Sequence, residues 1–117
     1  MKYISLNHNS APTSFRDAVI NGLAPDKGLY FPEEEICLSS KLLKSINNID
    51  DVELCYEVIK EYIGNEIPKN RLIDIISNTI SFEIPVKEIE NSIYSLELFH
   101  GPTLAFKDVG AKFMALC

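Results

Sequence analysis

The sequence predicts an α+β fold, mostly helical with short strands, that ends in a strand followed by a helix. Apolar residues recur at helical spacing through the middle of the chain, over residues 39–81. Shorter alternating runs bounded by Pro and Gly lie on both sides of this region. The composition, 46% hydrophobic and 24% charged, is that of an ordinary globular protein, and 117 residues suffice for a core of its own.

The first part of the chain predicts two short strands with a helix between them. A strand over Lys2–Leu6 comes first. Ser14, with an acid three residues later, has the spacing of a capping box, and Gly22 stands where the helix that it starts would end. A second strand is expected over Leu29–Phe31, and Pro32 is expected to stop it.

Three helices are expected next. A short one runs from Ser39 to about Ile46, and a longer one is capped by Asp50 and closed by Gly64. A third opens at Pro68, since proline is favoured at the first helical position. Their apolar stripes are typical of a core rather than of a ligand site. The expected core members are Leu54, Val58, Ile59, Tyr62, Ile63, Leu72, Ile75 and Ile76.

Charge and composition exclude several classes of function. A net charge of −6 and a pI near 4.8 argue against nucleic-acid binding, which needs clustered Lys and Arg. No run approaches the roughly 18 apolar residues of a membrane span, and the start lacks a secretory signal. Cys37, Cys55 and Cys117 are widely spaced and odd in number, which indicates reduced thiols rather than a disulfide framework. We therefore expect a cytoplasmic protein that binds neither nucleic acid nor membrane.

The most informative segment is residues 95–112, in which a strand over Ser92–Phe99 leads through a His-Gly-Pro turn into a helix. Thr103 is the expected N-cap of this helix, so that Lys107 lies near its opening. The partial positive charge there disfavours an ammonium ion, and a neutral lysine amine is a nucleophile toward aldehydes. The pattern therefore predicts a reactive amine at Lys107.

The expected surroundings of Lys107 suit this chemistry. Gly110, Ala111 and Met114 share its helix face, and the two small residues leave space for a flat ring. An apolar wall of Phe99, Leu104 and Phe106 is expected to desolvate the amine and favour its neutral form.

For each of three polar residues near Lys107, the sequence leaves two interpretations of its role open. His100 either contacts a substrate or orders its loop. Asp108 points about 100° away from Lys107 on a helix. Its negative charge either only stabilises the helix N-terminus, or the residue takes part in the site. Thr103 is either only a cap or also lies beside a bound group.

Two blocks of sequence resemble threonine synthase, a pyridoxal-phosphate enzyme of fold type II. The Phe-Lys-Asp around Lys107 is similar to the motif whose lysine holds the cofactor. The stretch from Ser14 to Pro32 is similar to the amino-terminal signature of that family, and the two blocks occur in the right order. Because the apolar run from Lys112 to Cys117 has no stop signal, we expect this chain to be the front portion of a longer protein.

The resemblance implies a function, a cofactor and a domain division. The intact protein would be a carbon–oxygen lyase acting on a phosphate ester, and it would convert O-phospho-L-homoserine and water to L-threonine and phosphate. Pyridoxal 5'-phosphate would be held by Lys107, which is both the catalytic and the cofactor-binding residue. Residues 1–91 would form the amino-terminal domain, and residues 92–117 would open a truncated α/β cofactor domain. The remainder of the enzyme chain would be the main partner, and the fragment alone, expected to be inactive, could self-associate.

Two alternatives stay open on the sequence. Another fold type II pyridoxal-phosphate lyase would carry a similar tripeptide around its lysine. A non-catalytic domain would instead use the helices between Ser39 and Ser81 to bind a partner.

Overall fold

The computed structural model describes all residues 1–117, which form five α-helices and two antiparallel pairs of short strands. The α+β class is therefore confirmed. The elements are β1 (Tyr3–Ser5), α1 (Phe15–Asn21), β2 (Tyr30–Pro32), α2 (Ser40–Ser45), a 3-10 turn (Ile46–Asn48), α3 (Asp51–Ile63), α4 (Lys69–Thr79), β3 (Val86–Glu90), β4 (Ile93–Leu96) and α5 (Lys107–Leu116). The chain divides into two compact units, Met1–Leu72 and Ile73–Cys117.

In the first unit, β1 pairs antiparallel with β2, and Tyr3 lies opposite Pro32. β2 stops at Pro32 as predicted, although it includes the proline and begins at Tyr30, so that both of its bounds lie one residue later than predicted. A proline needs no ladder partner at this position, since Tyr3 uses its backbone N–H and C=O on Thr13 instead, at 3.0 and 2.9 Å.

The helix caps predicted at Ser14, Gly22, Asp50 and Gly64 are confirmed, and Ser39 is a further N-cap. The Ser14 and Ser39 hydroxyls accept hydrogen bonds from the amide three residues on, at 3.0 and 3.2 Å. The Asp50 carboxylate accepts from two amides in the first turn of α3, at 3.0 and 3.1 Å. Gly22 and Gly64 end their helices with φ of 68° and 65°, a conformation that glycine adopts without steric cost.

A carboxylate from a distant part of the first unit completes the start of α1. One Glu66 oxygen accepts from the amide of Phe15 at 2.9 Å, and the other accepts from the amide of Arg16 at 3.0 Å. With the bond to Ser14, the first three amides of α1 all have acceptors that lie outside the helix. Glu66 therefore joins the segment between α3 and α4 to α1.

Part of the predicted core is fully buried. Ile63, Leu72, Ile75 and Ile76 are at most 2% exposed, as predicted. The prediction for Tyr62 was wrong, because its side chain is exposed while its carbonyl accepts from the Tyr3 hydroxyl at 2.8 Å. The other expected members, Leu54, Val58 and Ile59, are only half-buried. Only part of the apolar stripe of α3 is therefore covered by other residues.

The second unit contains a hairpin of β3 and β4, in which Val86 lies opposite Leu96 and the register shifts at Ile89. Ser92 forms the turn with φ of 64°, so β4 is shorter than the strand predicted over Ser92–Phe99. Later in this unit, the Lys112 ammonium of α5 donates to the Ser81 hydroxyl at 2.7 Å.

None of the five helices has both the length and the apolar character that crossing a membrane requires.

Candidate functional site

Lys107 is the first residue of α5, which follows β4 in the chain. Its side chain is exposed, and no carboxylate lies within 4.0 Å of its ammonium nitrogen. The sequence therefore located the lysine correctly at the opening of a helix that follows a strand.

Thr103 is not the N-cap that the sequence predicts. The helix begins four residues later, and its N-cap, Phe106, makes no side-chain hydrogen bond. The Thr103 hydroxyl instead donates to Asp108, and the intervening Leu104 has φ of 57°, which is incompatible with a right-handed helix. Residues 101–106 therefore form a turn-rich loop before α5, here called the 101–106 loop.

Asp108 holds this loop to the first turn of α5. It is 6% exposed, and its carboxylate accepts from both the amide of Thr103, at 2.8 Å, and the hydroxyl of Thr103. These hydrogen bonds, aided by Lys112, keep the pKa of the Asp108 carboxyl below its ordinary value despite the opposing effect of burial. Of the two interpretations left open for Asp108, the structure shows a local contact within the loop and no ion pair with Lys107.

Gly101 lies directly against the same carboxylate. A Cβ at this position would lie 2.4 Å from Asp108 Oδ2 and 2.9 Å from its Cγ, which is closer than real carbon atoms approach. The loop can pack on Asp108 only because residue 101 has no side chain.

The helix face beside Lys107 is open. A Cβ added at Gly110 would meet nothing within 4 Å, Ala111 is exposed, and the side chain of Met114 is 59% exposed. Residues at these spacings lie on one side of a helix. This part of the expectation is consistent with the structure, because space for a flat group does exist on that face.

The expected apolar wall around Lys107 is not formed by this chain. Phe99, Leu104 and Phe106 are 50%, 75% and 68% exposed. Each of these side chains is at least half exposed, and Lys107 is exposed as well. The enclosed setting expected for the lysine is therefore absent from residues 1–117.

His100 is held in the same region by Glu97. Its Nε2 lies 2.8 Å from a Glu97 carboxylate oxygen, and its ring lies 4.7 Å from that of Phe99. The structure thus supports the loop-ordering interpretation of His100, while contact with a substrate stays a prediction.

Sequence reasoning missed the contact of Gly101 and Thr103 with Asp108. The signal was present in part, since a Gly-Pro-Thr turn placed five residues before an acid is short enough to fold back on it. The same residues also have the pattern of a helix cap, and this local pattern is the one that the sequence favours.

Comparisons with known proteins bear on the whole chain. The family described as threonine synthase N terminus matches residues 2–80. The chain belongs to the threonine synthase family. Threonine synthase from Haemophilus influenzae is 37% identical over 121 residues, and that from Escherichia coli is 37% identical over 115 residues. Each match covers 98% of this chain but 27% of the relative.

Solved structures of threonine synthases have the same fold over this region. The Escherichia coli enzyme matches 99% of the chain with a TM-score of 0.91, and a pyridoxal-phosphate-bound enzyme from Brucella melitensis matches with a TM-score of 0.93 at 33% identity. The chain spans 27% and 26% of these two proteins. It therefore corresponds to the amino-terminal part of a threonine synthase, and the alignment includes the segment around Lys107.

Proposed function

We propose that this chain is the amino-terminal portion of a threonine synthase that converts O-phospho-L-homoserine and water to L-threonine and phosphate. The observation that carries the proposal is Lys107, which opens α5 without an ion-pair partner in a chain aligned with threonine synthases over 98% of its length. The intact protein would be a carbon–oxygen lyase acting on a phosphate ester. We place it in the cytoplasm.

The residues of this chain fit the ring of pyridoxal phosphate and the end of the cofactor that a lysine would hold. Lys107 would hold the cofactor, and the open face at Gly110 and Ala111 has room for a flat ring beside it. When bound, pyridoxal phosphate supplies an electron sink that makes proton removal from the carbon atoms of an amino acid feasible. Lys107 Nζ would then accept and return protons at the α and β carbons of the substrate, as a general base and acid.

Other parts of the site would come from the remainder of the enzyme. These 117 residues contain no Gly-rich run that would hold a phosphate at a helix start. We infer that residues 1–91 belong to an amino-terminal domain and that residues 92–117 open the cofactor domain. The chain alone is expected to be inactive, since an incomplete site provides little transition-state stabilisation.

The test is covalent capture of the cofactor on Lys107. Full-length protein is incubated with pyridoxal phosphate, reduced with borohydride and digested, and the labelled peptide is identified by mass spectrometry. We expect the label on Lys107, and its loss in Lys107→Ala. Lys112→Ala, on the same helix, is the matched control and should keep the label. Equal labelling of the Lys107→Ala variant would refute the assignment.

A second measurement separates the reaction from related ones. Release of phosphate from O-phosphohomoserine by full-length protein that has been loaded with pyridoxal phosphate and not reduced supports threonine synthesis. Release of ammonia from serine or threonine would indicate another fold type II lyase. Absence of any label on Lys107 would favour a non-catalytic domain that binds a partner through its helices.

A further inference from the structure

We propose that Asp108 is a positioning residue for Lys107. By binding Thr103, Asp108 closes the 101–106 loop and fixes the position of the backbone from which the Lys107 side chain extends. The inference rests on the proposed function, because it concerns the same lysine. It assigns to Asp108 an action through the backbone, with no contact to substrate or cofactor.

The hydrogen bonds between Thr103 and Asp108 close a ring of backbone that includes Lys107. Both carboxylate oxygens of Asp108 accept from Thr103, one from its amide at 2.8 Å and one from its hydroxyl. Lys107 lies between the two residues in the chain, so its backbone cannot move without breaking these bonds or moving α5. Because successive helical side chains differ by about 100° in direction, the lysine side chain points away from the ring that holds its backbone.

The ring is a constrained structure rather than a flexible turn. Leu104 has φ of 57°, which is uncommon for a bulky side chain. This conformation costs free energy and persists only where the surroundings impose it. Its side chain is 75% exposed, so packing of the leucine does not impose this conformation. The bonds between Thr103 and Asp108, together with the close approach of Gly101 to the carboxylate, are the contacts that do.

The charge surroundings of Asp108 agree with a structural carboxylate. The cation that acts on it is Lys112, whose own ammonium donates to Ser81. Lys107 is not within ion-pair distance. Asp108 can therefore hold the loop without forming an ion pair with the lysine that has to react.

The experiment compares four variants of the full-length protein. Thr103→Val removes the hydroxyl at nearly constant volume, Thr103→Ser keeps the hydroxyl, and Asp108→Asn replaces one acceptor oxygen by a donor. Ser81→Ala removes a hydrogen bond to Lys112 on the same helix and is the matched control. Two quantities are measured for each: the rate at which pyridoxal phosphate becomes borohydride-trappable on Lys107, and kcat and KM for O-phosphohomoserine.

We expect Thr103→Val and Asp108→Asn to slow cofactor capture and to lower kcat by about 10- to 100-fold, the effect of a small misplacement of a reacting group. KM should change much less, and Thr103→Ser and Ser81→Ala should stay near wild type. A merely structural role would instead give equal effects in Thr103→Val and Thr103→Ser, or lower the amount of folded protein without changing its rates.

The outcomes separate the two proposals. Wild-type rates in both Thr103→Val and Asp108→Asn would overturn the positioning role and leave the proposed function intact. Absence of cofactor capture on Lys107 in the wild-type protein would overturn both. If Asp108→Asn does not fold, the contrast between Thr103→Val and Thr103→Ser decides the question alone.

Discussion

At the scale of single residues, Asp26 organises the loop that follows β1. Its carboxylate accepts from the Ser5 hydroxyl at 2.6 Å and from the amides of Gly28 and Asn9 at 3.0 and 2.9 Å, while its own amide donates to the Ser10 hydroxyl. These bonds favour the charged form and lower the pKa of Asp26 from 3.8 to about 2.

The stability of the first unit should therefore depend on Asp26 in acid. Because the pKa in the folded state lies below the ordinary value of 3.8, the stabilisation is complete above about pH 4 and is lost as the pH falls toward 2. Denaturant unfolding between pH 2 and 5 should show a shallower pH dependence in Asp26→Asn. The Asp17→Asn variant, whose carboxylate makes no such set of bonds, should keep the slope of the wild type. An unchanged slope in Asp26→Asn would contradict this role.

Replacing either of two glycines in the second unit by alanine should change the free energy of unfolding, in opposite directions at the two positions. Gly101→Ala places a methyl group 2.4 Å from the Asp108 carboxylate and should cost about 1–3 kcal/mol in unfolding free energy. Gly110→Ala meets nothing and should stabilise α5 by about 0.5–1 kcal/mol. Thermal denaturation measures both. If Lys107 holds a cofactor, Gly110→Ala should also lower cofactor labelling, since it fills the open face.

At the scale of elements, Glu66 should be needed for α1. A helix of seven residues is too short to be stable by itself, and Glu66 provides acceptors for two of its first amides. Glu66→Gln turns one acceptor into a donor and should cost about 1 kcal/mol. Glu35→Gln, in an exposed loop without hydrogen bonds, should cost nothing measurable. Urea unfolding monitored by circular dichroism tests both, and equal midpoints would show that the cap is dispensable.

Elements with local signals were predictable. Ser14 and Asp50 cap their helices as the sequence indicates, because a cap bonds to amides within three residues of itself. The pairing of β3 with β4 was missed, since Asn91 and Ser92 are not a strong hairpin turn and both strands lack a buried face.

The candidate site also has a part that the sequence could predict and a part that it could not. Lys107 could be found from its motif, whereas the 101–106 loop could not be predicted. Its structure depends on a bond from Thr103 to Asp108 and on a left-handed conformation at Leu104, for which a leucine gives no signal. Burial of the amine was wrongly expected, because the sequence shows which side chains are apolar but not whether anything covers them.

At the scale of the whole molecule, the second unit exposes many apolar side chains. Ile89, Tyr94 and Leu104 are 66%, 61% and 75% exposed, and others share this property: Val86, Ile93, Leu96, Phe99, Phe106 and Met114. Such a surface is large for a protein that remains monomeric.

The 117-residue chain purified alone should therefore self-associate and bind a hydrophobic dye. Sedimentation velocity should show a concentration-dependent increase in mass, and the double variant Ile89→Lys, Tyr94→Lys should reduce both effects. Asn91→Lys adds charge at the hairpin turn without removing apolar surface and is the control. A chain that stays monomeric and binds no dye would contradict this expectation.

The contact between Glu66 and α1 also bears on how the protein emerges from the ribosome. The amide of Phe15 and its acceptor are separated by 51 positions, so the first two amides of α1 lack their acceptors until translation has passed residue 66. Nascent chains shorter than this should leave their amino end accessible to proteases, and protection should appear abruptly once that glutamate clears the exit tunnel.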